Sequence, residues 1–327
     1  VPRRPSRPRR PRRISGLLVL PLLLAAGCAG ATAAPQPVEK ASQSPLPMPT
    51  VGVAPVTDSA NALPLPLDGY LLNPAQLASV QQAQAKLIDS CMAGLGLDFR
   101  YPPAPKDLRD PDAPTTRIDG RYGRQDAQLS ARWGYHPEGG VPADRANAKM
   151  PEQSAEVRVA ATGSDQLKVH FGPGGQIING HKVPEHGCVG QANRRLTGTP
   201  DGLIGDPQSM GDAKFRTLDA AREHPRTQAA FAQWAACMKE RGVTGYADPI
   251  AAMSDPEWNR TPEPGERELK VAGADADCRH RTNVVGIWYS VDFAYQQEVL
   301  DADPAGMAQV KAGLETQVRS AAEVLGG

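Results

Sequence analysis

Residues 91–96 read Cys-Met-Ala-Gly-Leu-Gly, and residues 234–242 read Trp-Ala-Ala-Cys-Met-Lys-Glu-Arg-Gly. Each stretch places Cys-Met late on an amphipathic segment, with a glycine five residues after the cysteine. Upstream of the first, Asn73-Pro74 is a helix start: a capping side chain, then proline at the first helical position. Leu77, Val80, Leu87, Ile88, Cys91 and Leu95 then recur on one face. Upstream of the second, His224-Pro225 opens a helix with Phe231, Trp234, Ala235 and Met238 at i, i+3, i+4 and i+7. Aromatic residues and a proline follow both: Phe99, Tyr101 and Pro102 after the first, Tyr246 and Pro249 after the second. A further cysteine comes later in each half, in Gly187-Cys188-Val189 and Asp277-Cys278-Arg279. The chain therefore carries a weak internal repeat.

Cys91, Cys188, Cys237 and Cys278 are an even set, which in an exported chain reads as disulfides. Four cysteines allow three pairings. The economical one puts a staple in each repeat, Cys91–Cys188 and Cys237–Cys278, each stabilising by about 4–5 kcal/mol in the chain-entropy model. The competing reading is a metal site from His181, His186, Cys188 and the Cys278-x-His280 pair. It lacks a matching CxxC or HxxxH knuckle, so no metal and no cofactor is called for.

Working outward, Gly94 and Gly96 end the first helix, and residues 97–125 read as loop. A short helix is expected over 126–134. Residues 155–186 switch to period two, with Val157 and Val159, then Leu167, Val169 and Phe171, alternating with polar neighbours. Thr162-Gly163-Ser164-Asp165 and Asn179-Gly180 are hairpin turn signals, so a small antiparallel sheet is expected there. Val189 to Leu196 reads as a helix. In the second half Gly242 ends a helix, and a Pro-rich connection over 243–264 follows. Residues 265–302 form one long helix or two abutting ones, with an apolar stripe of Ile287, Trp288, Val291, Tyr295 and Val299. Asp303-Pro304 starts a final helix carrying Met307, Val310, Leu314, Val318 and Leu325. The expected class is mainly α: two disulfide-stapled helical repeats, the first with a small antiparallel β insertion. The boundaries are 68–205 for the first repeat, α+β, and 206–327 for the second, α-helical.

The N-terminal part has a different character. Residues 1–13 are rich in Arg and Pro, and residues 14–26 are an apolar run too short to span a bilayer comfortably. Ala25-Ala26-Gly27-Cys28 follows and resembles the lipobox of bacterial lipoproteins. This predicts a signal peptide over 1–27 and a lipid on Cys28, whose two chains suffice for stable anchoring. Arg12-Arg13-Ile14 leaves export by the twin-arginine route open beside the general one. Residues 28–67, with eight prolines among Ala, Ser, Thr and Gln, show no sustained period and read as a tether. The expected place is the outer face of the cell membrane. The whole chain balances 36 basic against 36 acidic side chains, but seven of those arginines lie in 1–27. Without them 29 basic face 36 acidic, a net of −7. Such a mature chain is a poor candidate for sequence-independent nucleic-acid binding, which runs on phosphate neutralisation.

Arg121-Tyr122-Gly123, Gly134-Tyr135-His136, Gly187-Cys188, Trp234-Ala235-Ala236-Cys237-Met238, Ala274-Asp275-x-x-Cys278 and Tyr295-Gln296-Gln297 together resemble an uncharacterised family of secreted lipoproteins from high-GC Gram-positive bacteria. The resemblance covers residues 66–327. It implies export and this architecture, and brings no established activity.

Motifs for chemistry are sparse. There is no HExxH, GxSxG or SxxK. Gly175-x4-Gly180-His181-Lys182 misses a phosphate loop because lysine should follow the second glycine directly. The densest cluster of useful side chains is Arg121, Tyr122, Asp126, Tyr135 and His136, in a loop-rich segment where binding groups tend to sit. Arg121 is suited to an anion, Tyr122 and Tyr135 to stacking, and Asp126 with His136 to proton exchange. The plainer reading is that the tyrosines plug a gap, with Arg121–Asp126 as an internal pair. Glu185 and His186 are a second such pair. No catalytic residue is assigned. The expected function is a non-catalytic module that holds an envelope protein or cell-wall component. The alternatives are a solute-capturing accessory subunit of a transporter, with a cleft lined by Tyr122, Tyr135, Trp258 and Trp288, and a cell-wall hydrolase.

Overall fold

The computed structural model describes residues 45–102, 120–141, 153–166, 169–199 and 201–326. Cys28 and the leader expected over 1–27 lie outside them. Ten α-helices account for more than half of the described residues: α1 Pro74–Gly94, α2 Ala127–Trp133, α3 Ala155–Thr162, α4 Gly187–Thr197, α5 Gln208–Glu223, α6 Pro225–Glu240, α7 Pro249–Met253, α8 Glu266–Thr282, α9 Val284–Ala302 and α10 Pro304–Gly326. The β content of the described residues is one two-residue pair, β1 Ile177–Ile178 with β2 His181–Lys182, antiparallel, Ile178 opposite His181.

Local chemistry sets the helix ends. Asn73 accepts from the Gln76 amide while the Gln76 side chain accepts from the Asn73 amide, a reciprocal cap with Pro74 behind it. The two Cys-Met helices end identically. After α1 the Gly96 amide donates to Ala93 and the Leu97 amide to Met92, with Gly96 at φ +71°. After α6 the Gly242 amide donates to Lys239 and the Val243 amide to Met238, with Gly242 at φ +72°. This pair of bonds needs a left-handed residue one place beyond the cap, which explains the repeated glycine. Both disulfides form as paired in the sequence, Cys91–Cys188 and Cys237–Cys278, each with 5.6 Å between Cα atoms.

Two expectations are corrected. Residues 155–162 are helix α3, not strand. Ser154 caps it by accepting from the Val157 amide, and Gly163 at φ +70° closes it. The Val157/Val159 alternation was too short to outweigh Ala155, Ala160 and Ala161; Ala160 is buried among residues of α1 and α4. Phe171 and Val169 lie outside any strand and are partly exposed. The turn signal at Asn179-Gly180 holds, since both residues take positive φ in the β1–β2 hairpin.

The second correction concerns the tether expected over 28–67. Its described part, residues 45–67, runs along the helices. Ala60 and Leu65 are buried in the largest core, and Leu46, Val51 and Leu63 pack against it. Apart from local turns, among them one closed by the Leu63 amide on the Ala60 carbonyl, and the 3-10 helix that begins at Pro66, this backbone is held by bonds from other segments. Asn283 accepts from the Thr57 amide at 3.0 Å and donates to the Pro55 carbonyl at 2.9 Å. Tyr289 donates to the Pro64 carbonyl at 2.6 Å, and Gln125 accepts from the Ala60 amide at 2.7 Å. A Cβ on Gly286 would lie 1.9 Å from the Pro55 carbonyl oxygen, so the approach demands glycine. Aperiodic, Pro-rich sequence conceals such packing because polyproline-like backbone presents no helical or strand stripe.

The largest core joins α6, α8 and α9 around Phe231, Trp234, Trp288 and Tyr122. A second lies around Cys188 between α1, α3 and α4. The two expected repeats exchange elements. α10 packs on α1 and α4, with Leu314 and Ala321 beside Val80 and Leu196, while α2 packs on α8.

Candidate functional site

The Arg121–His136 segment is where the chain concentrates its buried charge. Asp292, on α9, accepts the Arg121 Nε at 2.5 Å and Nη2 at 2.9 Å, the Tyr122 hydroxyl at 2.6 Å and the Gln296 amide at 3.0 Å. Arg121 also donates to Thr217 of α5 at 2.9 Å, and Gln296 accepts from the Leu67 amide at 3.0 Å. All of these side chains are buried. The planar fork of arginine suits a carboxylate two-point contact, and the remaining acceptor capacity of Asp292 is taken by neighbours.

A second node sits on α8. Asp275 accepts from Arg279 Nε at 2.8 Å, Trp234 Nε1 at 2.9 Å and the Tyr135 hydroxyl at 3.1 Å. Arg279 Nη1 donates to the Tyr122 carbonyl at 2.5 Å. Burial, with the adjacent Asp275 charge, pushes the Tyr135 hydroxyl well above the ordinary tyrosine range. A Cβ on Gly123 would come within 2.6 Å of Arg279 Nη2. A third node is Glu268, whose Oε1 accepts from the Tyr135 amide at 2.7 Å, the His136 amide at 3.2 Å and His136 Nδ1 at 2.8 Å. His136 Nε2 reaches the Thr261 carbonyl at 2.8 Å. Gly134, at φ +55° and ψ −123°, lets the carboxylate reach beneath the chain; a Cβ there would meet Glu268 Oε1 at 2.6 Å.

Arg121, Tyr122, Tyr135 and His136 of the sequence cluster are thus drawn to one side of α8 and α9. Asp126 does not join them. It is exposed and caps α2, accepting from the Gln128 and Leu129 amides at 2.8 Å. The partner of Arg121 is Asp292 rather than Asp126, 171 residues away in sequence. Glu268, Asp275, Arg279, Asp292 and Gln296 were missed as partners. The only signal was in α8 and α9 themselves, where ionisable or polar residues recur on otherwise buried faces. Trp288 and Tyr122 pack edge to face at 5.3 Å inside the core, and Tyr135 stacks with Trp258 at 6.1 Å. The four aromatics expected to line a cleft are packed instead.

The candidate metal ligands are dispersed. Cys188 and Cys278 are in disulfides, His181 is exposed on β2, His186 lies 3.2 Å from Asp201, and His280 pairs with Asp58. Glu185 pairs with Arg194 rather than with His186. Cys237, Asp277 and Cys278 cluster, but the two sulfurs are bonded to each other and offer no thiolate.

Among the described residues, one groove of about 490 Å³ opens to solvent where Leu71, Leu72 and Gln76 meet Leu314, Val318 and Arg319 of α10, rimmed by charged side chains, and a second of about 410 Å³ opens between residues 50–55 and α9. The second has the fewer charged side chains. Thr50, Val53, Pro55, Tyr289, Phe293 and Gln297 line it. Three of its polar groups are engaged internally: Tyr289 with Pro64, the Ser290 hydroxyl with Ile287 and the Gln297 amide with Asp301. Val53 is 96% exposed and Phe293 39% exposed at its mouth. What it offers a ligand is therefore mainly apolar contact, with the Glu298 carboxylate at the edge.

Comparison of the chain with protein-family models, curated proteins and solved structures found no match. Among the described residues no helix is long and apolar enough to cross a membrane. Two disulfides are compatible with an oxidising, extracytoplasmic compartment.

Proposed function

We propose that this protein is a lipid-anchored extracytoplasmic module of the cell envelope that binds a partner without catalysing a reaction. The observation that carries the binding reading is the Val53–Phe293 groove: Tyr289, Ser290 and the Gln297 amide spend their hydrogen bonds internally, while Val53 and Phe293 face solvent. Its size falls within the range of ordinary ligand sites and suits one or two bulky apolar side chains of an extended envelope polypeptide. The Arg-rich leader, the small residues before Cys28 and the two disulfides support the address. The resemblance to secreted lipoproteins of high-GC Gram-positive bacteria supports it as well.

Two experiments test the two parts. Cys28→Ala should move the protein from the membrane fraction to the medium; continued retention overturns lipid anchoring. A photo-crosslinker beside the groove, at Glu298, should capture an envelope protein from intact cells. Phe293→Lys should abolish that capture at unchanged melting temperature. Unchanged capture removes the groove as the interface. Labelling of a small apolar solute in its place would shift the reading to solute capture.

A further inference from the structure

The segment Gly120–Val141, hereafter the strap, closes over α8 and α9 through three carboxylates and three cations. Glu268, Asp275 and Asp292 face Arg121, Arg279 and His136, and all six are buried. Both arginines are permanently charged. Partly buried Arg124 of the strap adds a further positive charge that also acts on Glu268, so the charge sum does not fix the state of His136. Donor and acceptor accounting carries the assignment. A backbone carbonyl only accepts, so the contact with Thr261 requires a hydrogen on Nε2. Glu268 Oε1 receives two backbone amides and Nδ1 together, which is the pattern of an ionised carboxylate and requires a hydrogen on Nδ1 as well. Both ring nitrogens donate, so the ring is an imidazolium.

We propose that His136 is a protonation latch: charged, it seals the strap onto α8; neutral, it releases it. Losing the proton takes one donor from either Glu268 or the Thr261 carbonyl and removes the ring's positive charge from beside buried Glu268, at the point where the Tyr135 and His136 amides share the same oxygen. The groups facing the ring are Glu268 from α8, the Thr261 carbonyl from the loop before α8, and Arg124 and Tyr135 from the strap. Arg124 donates to the His136 carbonyl, and its charge opposes ring protonation. Burial also works against the charge, but the Glu268 and Thr261 contacts outweigh both and raise the His136 value above the ordinary one. The latch thus tightens below about pH 6.5, the ordinary unfolded value, and loosens as pH rises through the folded one.

The test is nitrogen NMR of labelled histidines in the full chain from about pH 5 to 10, paired with hydrogen exchange corrected for its intrinsic pH dependence. His136 should retain the imidazolium signature above about pH 6.5. As it titrates, protection of the strap amides should fall at least tenfold, while α1 and α6 keep theirs. A His136 already neutral at about pH 6.5, or strap protection that stays flat through its titration, overturns the latch. Glu268→Gln adds a second readout. His136 should then titrate lower, and strap protection should be low at every pH. If that variant loses protection but keeps the wild-type pH dependence, Glu268 is only structural and the latch is wrong. The wild-type titration decides the matter even if the variant does not fold.

Discussion

Asp292 shows how much rests on single buried groups. It holds Arg121, Tyr122 and Gln296 at once, and through Gln296 the Leu67 amide. Asp292→Leu should cost about 3–5 kcal/mol in a denaturant melt, because the Arg121 charge is left buried without a partner. The double variant Arg121→Met with Asp292→Leu should recover much of that loss, since apolar replacement of a buried pair is often neutral. A single variant within about 1 kcal/mol of wild type would mean that the pair is open to water. At this scale the sequence was partly legible. Arg121, Tyr122, Tyr135 and His136 stood out as an unusual cluster. Their partners lie 96 to 171 residues away, and no local spacing links a carboxylate to an arginine over that distance.

At the scale of elements, the repeated Cys-Met helix was the most readable feature. Helix formation, the αL glycine and the cysteine position are all set within about six residues, which a sequence displays directly. The disulfides close segments of 97 and 41 residues. Replacing Cys91 and Cys188 with serine, or Cys237 and Cys278, should each lower stability by about 4 kcal/mol, with the longer span costing slightly more. Equal melting of either variant and the parent under non-reducing conditions would show that the staple contributes nothing. Short elements were the least readable. Eight residues of α3 offered two strand-like valines against three alanines, and the decision fell to Ser154, Gly163 and the surface offered by α1 and α4.

For the molecule as a whole, the contribution of residues 45–67 matters most. A chain beginning at Pro45 is the reference. One beginning at Asp68 removes Leu46, Val51, Ala60, Leu63 and Leu65 from the core and strips partners from Asn283, Tyr289, Gln125 and Gln296. Two of those residues are fully buried leucine or alanine, and a buried leucine alone contributes about 1.5–3 kcal/mol, so the shorter chain should lose several kcal/mol. Equal melting points for the two chains would return residues 45–67 to the role of a tether.

The sequence by itself determined the helical class, the two staples and the caps that begin and end the main helices. Each depends on residues close together in the chain, or on a repeat that displays its own register. Only the tertiary structure decided that residues 45–67 belong to the body, that α10 crosses to pack on α1 and α4, and that Arg121 and His136 answer to Asp292 and Glu268. Those outcomes turn on which surfaces meet. Burial is non-directional, and a buried charge seeks whichever counter-charge the packing brings within reach.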